Sequence, residues 1–147
     1  MENKNIIGGL AGAVILTILN ESLKNVNEDM PHIDLVGKEA VQKTAEFFGL
    51  DIENNDSLQG TAIVSDLITN TAYYSLIDGE KNDLWLKAAS SGILAGLSTV
   101  NLPGKIGLND EPVTKTFTTK AMVVGYYLIG AFTTAAVIRL MEKIQSQ

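Results

Sequence analysis

The distribution of charge along the chain constrains its fold more than any other feature. Four segments, residues 6–19, 60–77, 84–102 and 121–138, together hold 69 residues and two charged side chains, Asp66 and Lys87, whereas the other 78 residues hold 26. A water-exposed amphipathic helix brings a charge back to its outer face every turn or so. The runs IIGGLAGAVILTIL and AMVVGYYLIGAFTTAAVI bring none back on any face, the pattern that hydrocarbon demands. A helix needs roughly 20 residues to cross about 30 Å of hydrocarbon, and the segments approach that length when extended into their flanks. The predicted spans are residues 5–23, 60–77, 84–102 and 120–140.

The expected architecture is therefore all-α, a four-helix transmembrane bundle in one helical membrane domain covering residues 1–147. Strand signals are nearly absent. The expected location is the cytoplasmic membrane, crossed several times, and the alternative is a soluble α-helical bundle. Lys4 ahead of the first apolar run resembles the start of a secretory signal, but the run ends in LNESLKNV with no small-residue cleavage site, so a retained anchor is expected.

One long polar connection, residues 20–59, separates the first two spans. Within it, residues 34–48 have helical periodicity: Asp34 can cap, Val36, Ala40, Thr44 and Phe47 form a stripe flanked by Val41 and Phe48, and Gly49 ends the run. An additional amphipathic helix in the first loop is expected, lying at the membrane interface or packed on the bundle. The short link DGEKND predicts that the second and third spans form an antiparallel hairpin. In the next connection, Pro103, Gly104, Gly107 and Pro112 are expected to forbid a continuous helix.

Small residues recur where membrane helices need close approach. Gly8 and Gly12 in the first span and Gly92 and Gly96 in the third are four residues apart, and Gly125 with Gly130 in the fourth is a looser match. These are the expected helix-packing positions, and they would also serve a homo-oligomer or a membrane-protein partner.

An ionisable group inside a span is costly unless it faces protein or water. Asp66, Thr69, Asn70 and Tyr73 recur every three or four residues and so share one helix face, while Ala62 one turn earlier leaves room beside the carboxylate. They are the candidate ligand-binding residues. The structural alternative is interhelical hydrogen bonding that orders the bundle. Glu21, at the end of the first span, and Lys87, near the start of the third, are secondary candidates, although both also suit a membrane boundary.

Several classes are excluded or disfavoured. With no cysteine and one histidine, the chain offers no thiolate or histidine-rich metal site, and His32 with its neighbouring carboxylates reads as a solvated loop. No nucleophile-elbow, zinc-protease or phosphate-loop motif occurs, so catalysis and a bound cofactor are not expected. A net charge of −6 with no basic cluster argues against nucleic acid. The expectation is a small integral membrane protein that binds or translocates a small polar or cationic solute or a lipid, with membrane lipid as its surroundings. The other reading is a non-catalytic accessory subunit of a membrane complex.

Overall fold

The computed structural model describes residues 2–147. Among them are six α-helices and no strand: α1 (Asn3–Leu23), α2 (Ile33–Phe47), α3 (Asn55–Tyr74), α4 (Lys81–Lys105), α5 (Glu111–Thr114) and α6 (Phe117–Gln145). Two of these, α1 and α6, are long and apolar enough to cross a membrane. By the same measure α3 and α4 are diluted by polar residues, α3 by Asp56, Asp66 and Asn70 and α4 by Lys81, Asp83, Lys87 and Lys105.

The helix α6 is the organising element. It packs against α1 on one side and α4 on the other, and α1 packs in turn against α3. Each of these pairs runs antiparallel. Lys4 near the start of α1 reaches Glu142 near the end of α6 at 2.8 Å, and Trp85 early in α4 stacks obliquely on Phe132 at the middle of α6, while Gly96 farther along α4 meets Val124 earlier in α6. One end of the bundle therefore gathers both chain ends and the α3–α4 turn. The other end carries α2, α5 and the connections around them.

Glycine decides how closely the helices approach. A Cβ on Gly92 would lie 2.8 Å from the Cα of Leu128, and one on Gly96 would lie 2.6 Å from the Cα of Val124, so α4 and α6 touch backbone to backbone. On α1, a Cβ on Gly8 would meet Ile138 at 2.9 Å, and one on Gly12 would meet Thr134 and the Gly130 carbonyl. These four glycines make two seams internal to the chain, α4 on α6 and α1 on α6. Gly125 departs from the expectation: a Cβ there would meet nothing within 4 Å. Gly130, five residues on, is the packed position, and the ring of Tyr74 fills the space that a side chain would need.

Tyr74 is fully buried, and its hydroxyl donates to the carbonyl of Tyr127 at 2.9 Å. Through Gly12 and Gly130, it wedges the end of α3 into the α1–α6 junction. The substitution Tyr74→Phe keeps the wedge and removes one buried hydrogen bond, so chemical unfolding should register a loss of about 1 kcal/mol.

The expected hairpin of the second and third spans is antiparallel but not closed. Gly9 lets α3 settle on α1, with a would-be Cβ 2.6 Å from the Thr71 carbonyl, while Gly92 and Gly96 draw α4 onto α6. With α1 and α6 between them, α3 and α4 hardly touch along their length. The bundle is left with one open seam.

Helix ends also differ from expectation. Asn54 caps α3 by accepting from the Asp56 N–H at 2.9 Å, which starts the helix five residues before position 60. The helix stops at Tyr74 because the chain turns there to seat the wedge. Pro103 lies inside α4 instead of ending it. It sits in the last turn, where its missing N–H costs one bond, and its carbonyl accepts from Leu108 N–H at 2.8 Å. The one-turn α5 was not foreseen: its Val113 is fully buried, and its Pro112 carbonyl accepts from His32 N–H at 3.0 Å. Thr116 and Thr119 form a reciprocal capping box that begins α6 at Phe117.

Candidate functional site

The open seam between α3 and α4 is a cleft of about 400 Å³, and Asp66, Thr69, Asn70 and Tyr73 all line it. Opposite them stand Leu94, Ala95, Ser98 and Thr99 of α4, with Tyr127 of α6 as the floor. Their shared position follows from spacing, since residues at i, i+3, i+4 and i+7 stack on one helix face. Tyr73 closes the cleft toward the α3–α4 turn by donating its hydroxyl across the gap to the Ser91 carbonyl at 2.8 Å.

Asp66 differs from the other three in touching three spaces at once. Besides the cleft, it lines a small cavity of about 30 Å³ between α1, α2 and α3, where Glu21, Asn20, Asp34 and Lys38 are also found. It further lines a groove of about 520 Å³ between α2 and α3. The carboxylate fits under α2 because of Gly37, where a Cβ would lie 2.9 Å from Oδ2 of Asp66. No side chain among the described residues donates a hydrogen bond to the Asp66 carboxylate or pairs with it as an ion, Lys38 included. Asn70, one turn away and lining both the cleft and the small cavity, is likewise without a side-chain hydrogen bond among the described residues. A carboxyl group in a partly enclosed space with no donor of its own is an invitation to an external one.

The neighbouring carboxylates are satisfied. Asp34, which was expected to cap α2, instead lies in its first turn and accepts from Asn20 Nδ2 at 3.1 Å and from Lys24 Nζ at 3.1 Å. The open N–H at the start of α2 is met from another helix: Ile33 N–H donates to Asn20 Oδ1 at 3.0 Å. Glu21 accepts from Lys24 at 2.9 Å. It lines the small cavity with Asp66 but is committed to this cluster. Burial alone would push the Asp34 carboxyl up, yet the bonds from Asn20 and Lys24 outweigh it and hold Asp34 below the usual carboxylate range. Lys87 stands apart, on the exposed side of α4, paired with Asp83 on its own helix at 2.9 Å.

The face that α2 turns to α3 carries Gly37, Ala40, Val41, Thr44 and Phe48. Ala40 and Thr44 of the expected stripe lie on it with the flanking Val41 and Phe48, and Val36 is buried in the core, whereas Phe47 departs from the expectation and is left 84% exposed. Gly37 stands on this face directly against the Asp66 carboxylate. Two further contacts hold α2 across the bundle end: Lys43 Nζ donates to the Gly107 carbonyl at 2.6 Å, and Asn109 N–H donates to Glu39 at 2.9 Å. The sequence carries no local signal for this cover, because Gly37 looks like any weak helix residue until α3 is placed beneath it.

Compared with family models, with curated proteins and with solved structures, the chain matches none, so the geometry of this site carries the functional argument alone.

Proposed function

We propose that the chain is a four-span helical membrane protein, α3 and α4 crossing beside α1 and α6, which binds a small solute or lipid headgroup bearing a cationic or hydrogen-bond-donating group at Asp66. The observation that carries the binding reading is the unpartnered Asp66 carboxylate at the meeting point of three cavities, with Thr69, Asn70 and Tyr73 beside it. A carboxylate at membrane depth demands polar company, and here the chain supplies space in place of a partner.

The four-span reading is supported by what the helices leave outside. Ile7, Leu10 and Ile18 on α1, Val64 and Ile68 on α3, Leu86, Ile93, Leu94 and Leu97 on α4, and Ile129 and Leu140 on α6 are all exposed. Ile68 and Leu86 are two-thirds bare. Apolar exposure on this scale, spread over four helices, is costly in water and natural in lipid. The accessory-subunit reading rests on the same surfaces, with another membrane protein in place of lipid.

Two measurements test the proposal. The protein should stay in the membrane pellet after an alkaline carbonate wash, and recovery in the supernatant would establish a soluble bundle instead. In nanodiscs, equilibrium dialysis with radiolabelled ethylammonium and choline should show saturable binding that Asp66→Asn weakens by about tenfold or more, with the thermal unfolding curve preserved. Equal loss of fold and binding would make Asp66 a structural residue.

A further inference from the structure

The two larger spaces at Asp66 differ in chemistry, and the difference narrows the class of ligand. The α3–α4 cleft sets hydroxyls and an amide beside Leu94 and Ala95, whereas the α2–α3 groove has its hydroxyls at Thr44, Thr61, Ser65 and Thr69 and runs from Asp66 along α2 past Val41 and Ala45 to a wholly apolar end at Phe48, Leu50 and Ile52. Eleven residues separate Gly37 from Phe48, a helical rise of about 16 Å, comparable to a medium-length alkyl chain. At the outer end Phe48 and Leu50 are 71% and 64% exposed, so the groove's apolar wall has no cover within the chain. At the inner end stands the one carboxylate near it that lacks a donor. Thr69 and Ser65 line the groove beside Asp66 and supply hydroxyl oxygens to the same point.

Resting on the binding role of Asp66 proposed above, we infer that the site takes a single-chain amphipathic amine, its ammonium on Asp66 and its alkyl tail along the α2–α3 groove over Phe48 and Leu50. A primary ammonium has three N–H donors, which match the Asp66 carboxylate and the hydroxyls of Ser65 and Thr69. The tail removes apolar surface of Val41, Phe48, Leu50 and Ile52 from solvent, and this contribution grows with each methylene buried. An anionic amphiphile is disfavoured at the same point, because among the described residues the groove lining holds a carboxyl group and no cation.

The test uses the full chain in zwitterionic nanodiscs, with protein-free discs as the blank and radiolabelled octylammonium as the probe. Saturable binding is expected, with unlabelled ethylammonium and octanol competing at least about tenfold more weakly than octylammonium, since each lacks one half of the recognition. Octanol competing as well as octylammonium overturns the inference without any variant, whatever the folding of mutants. Ala45→Trp, which fills the groove at a partly buried position, should weaken binding by a similar factor. If Asp66→Asn weakens octylammonium binding but Ala45→Trp does not, the groove is not the tail site and only the head-group reading survives. Loss on Ser98→Leu would then place the ligand in the α3–α4 cleft. If neither Asp66→Asn nor Ala45→Trp changes binding, both readings fail.

Discussion

Replacing Gly96 with leucine should cost about 3 kcal/mol or more and abolish the cooperative unfolding of the α4–α6 pair. A side chain there starts 2.6 Å from the Cα of Val124, and its first carbon also crowds the Val124 side chain at 3.1 and 3.2 Å. Backbone cannot rotate away as a flexible side chain can, so relief requires the helices to separate. Overpacking of a core typically costs about 1–3 kcal/mol when neighbours can adjust. Here the neighbour is the central helix, which also packs α1, so movement propagates through two interfaces. Separation would move the α4 wall of the cleft too, coupling this seam to the site. Gly125→Ala is the control on the same seam-forming helix: with open space around it, alanine should be neutral or stabilise by up to about 1 kcal/mol through helix propensity. Equilibrium unfolding in detergent measures both, and equal stabilities for the two variants would show that the close approach at Gly96 is absent.

These two glycines also show how far the chain could be read before folding. Spacing within a helix was legible: Gly92 with Gly96 and Gly8 with Gly12 are four apart, and both pairs face α6. The same geometry brings Asp66, Thr69, Asn70 and Tyr73 onto one cleft. Relations between helices were not legible. Gly9 is adjacent to Gly8 but points about 100° away, toward α3 instead of α6, and only three-dimensional placement separates the two seams. The same holds for Gly37 above Asp66, and for the open side of the bundle. A short turn between α3 and α4 suggests adjacency, yet each helix found a closer glycine-lined partner elsewhere. Helix ends were missed where tertiary contacts fix them, as at the buried Val113 of α5 and the Tyr74 wedge.

Asn20→Leu should destabilise the protein by about 3 kcal/mol and release α2 from its position over Asp66. Asn20 is 5% exposed and performs two tasks at once, donating to Asp34 and accepting from Ile33 N–H. Its loss removes two bonds at about 1 kcal/mol each and leaves a buried carboxylate less satisfied, which adds a desolvation penalty of about 1–3 kcal/mol. By contrast, Asp83→Ala breaks only the ion pair with Lys87, whose partners are both about half exposed, and should lie within measurement error. Burial counts more than the number of ion pairs. The cluster also fixes the shape of the pH profile. Asp34 is held below its ordinary value when folded, so its contribution is complete above the unfolded carboxylate pKa of about 3.9 and is lost as pH falls below it. For Lys24, burial alone would lower the ammonium pKa, but hydrogen bonds to Glu21 and Asp34 outweigh it and raise the value. Its contribution is therefore complete below the unfolded lysine pKa of about 10.4 and is lost as pH rises through the higher folded value. Wild-type stability should show both limbs, and Asn20→Leu should flatten the acid one. Hydrogen exchange supplies the link to function: in Asn20→Leu the amides of α2 should exchange faster while those of α6 stay protected. A uniform rise across all helices would mean that Asn20 holds up the whole bundle, and that α2 is not a separately held cover on the Asp66 site.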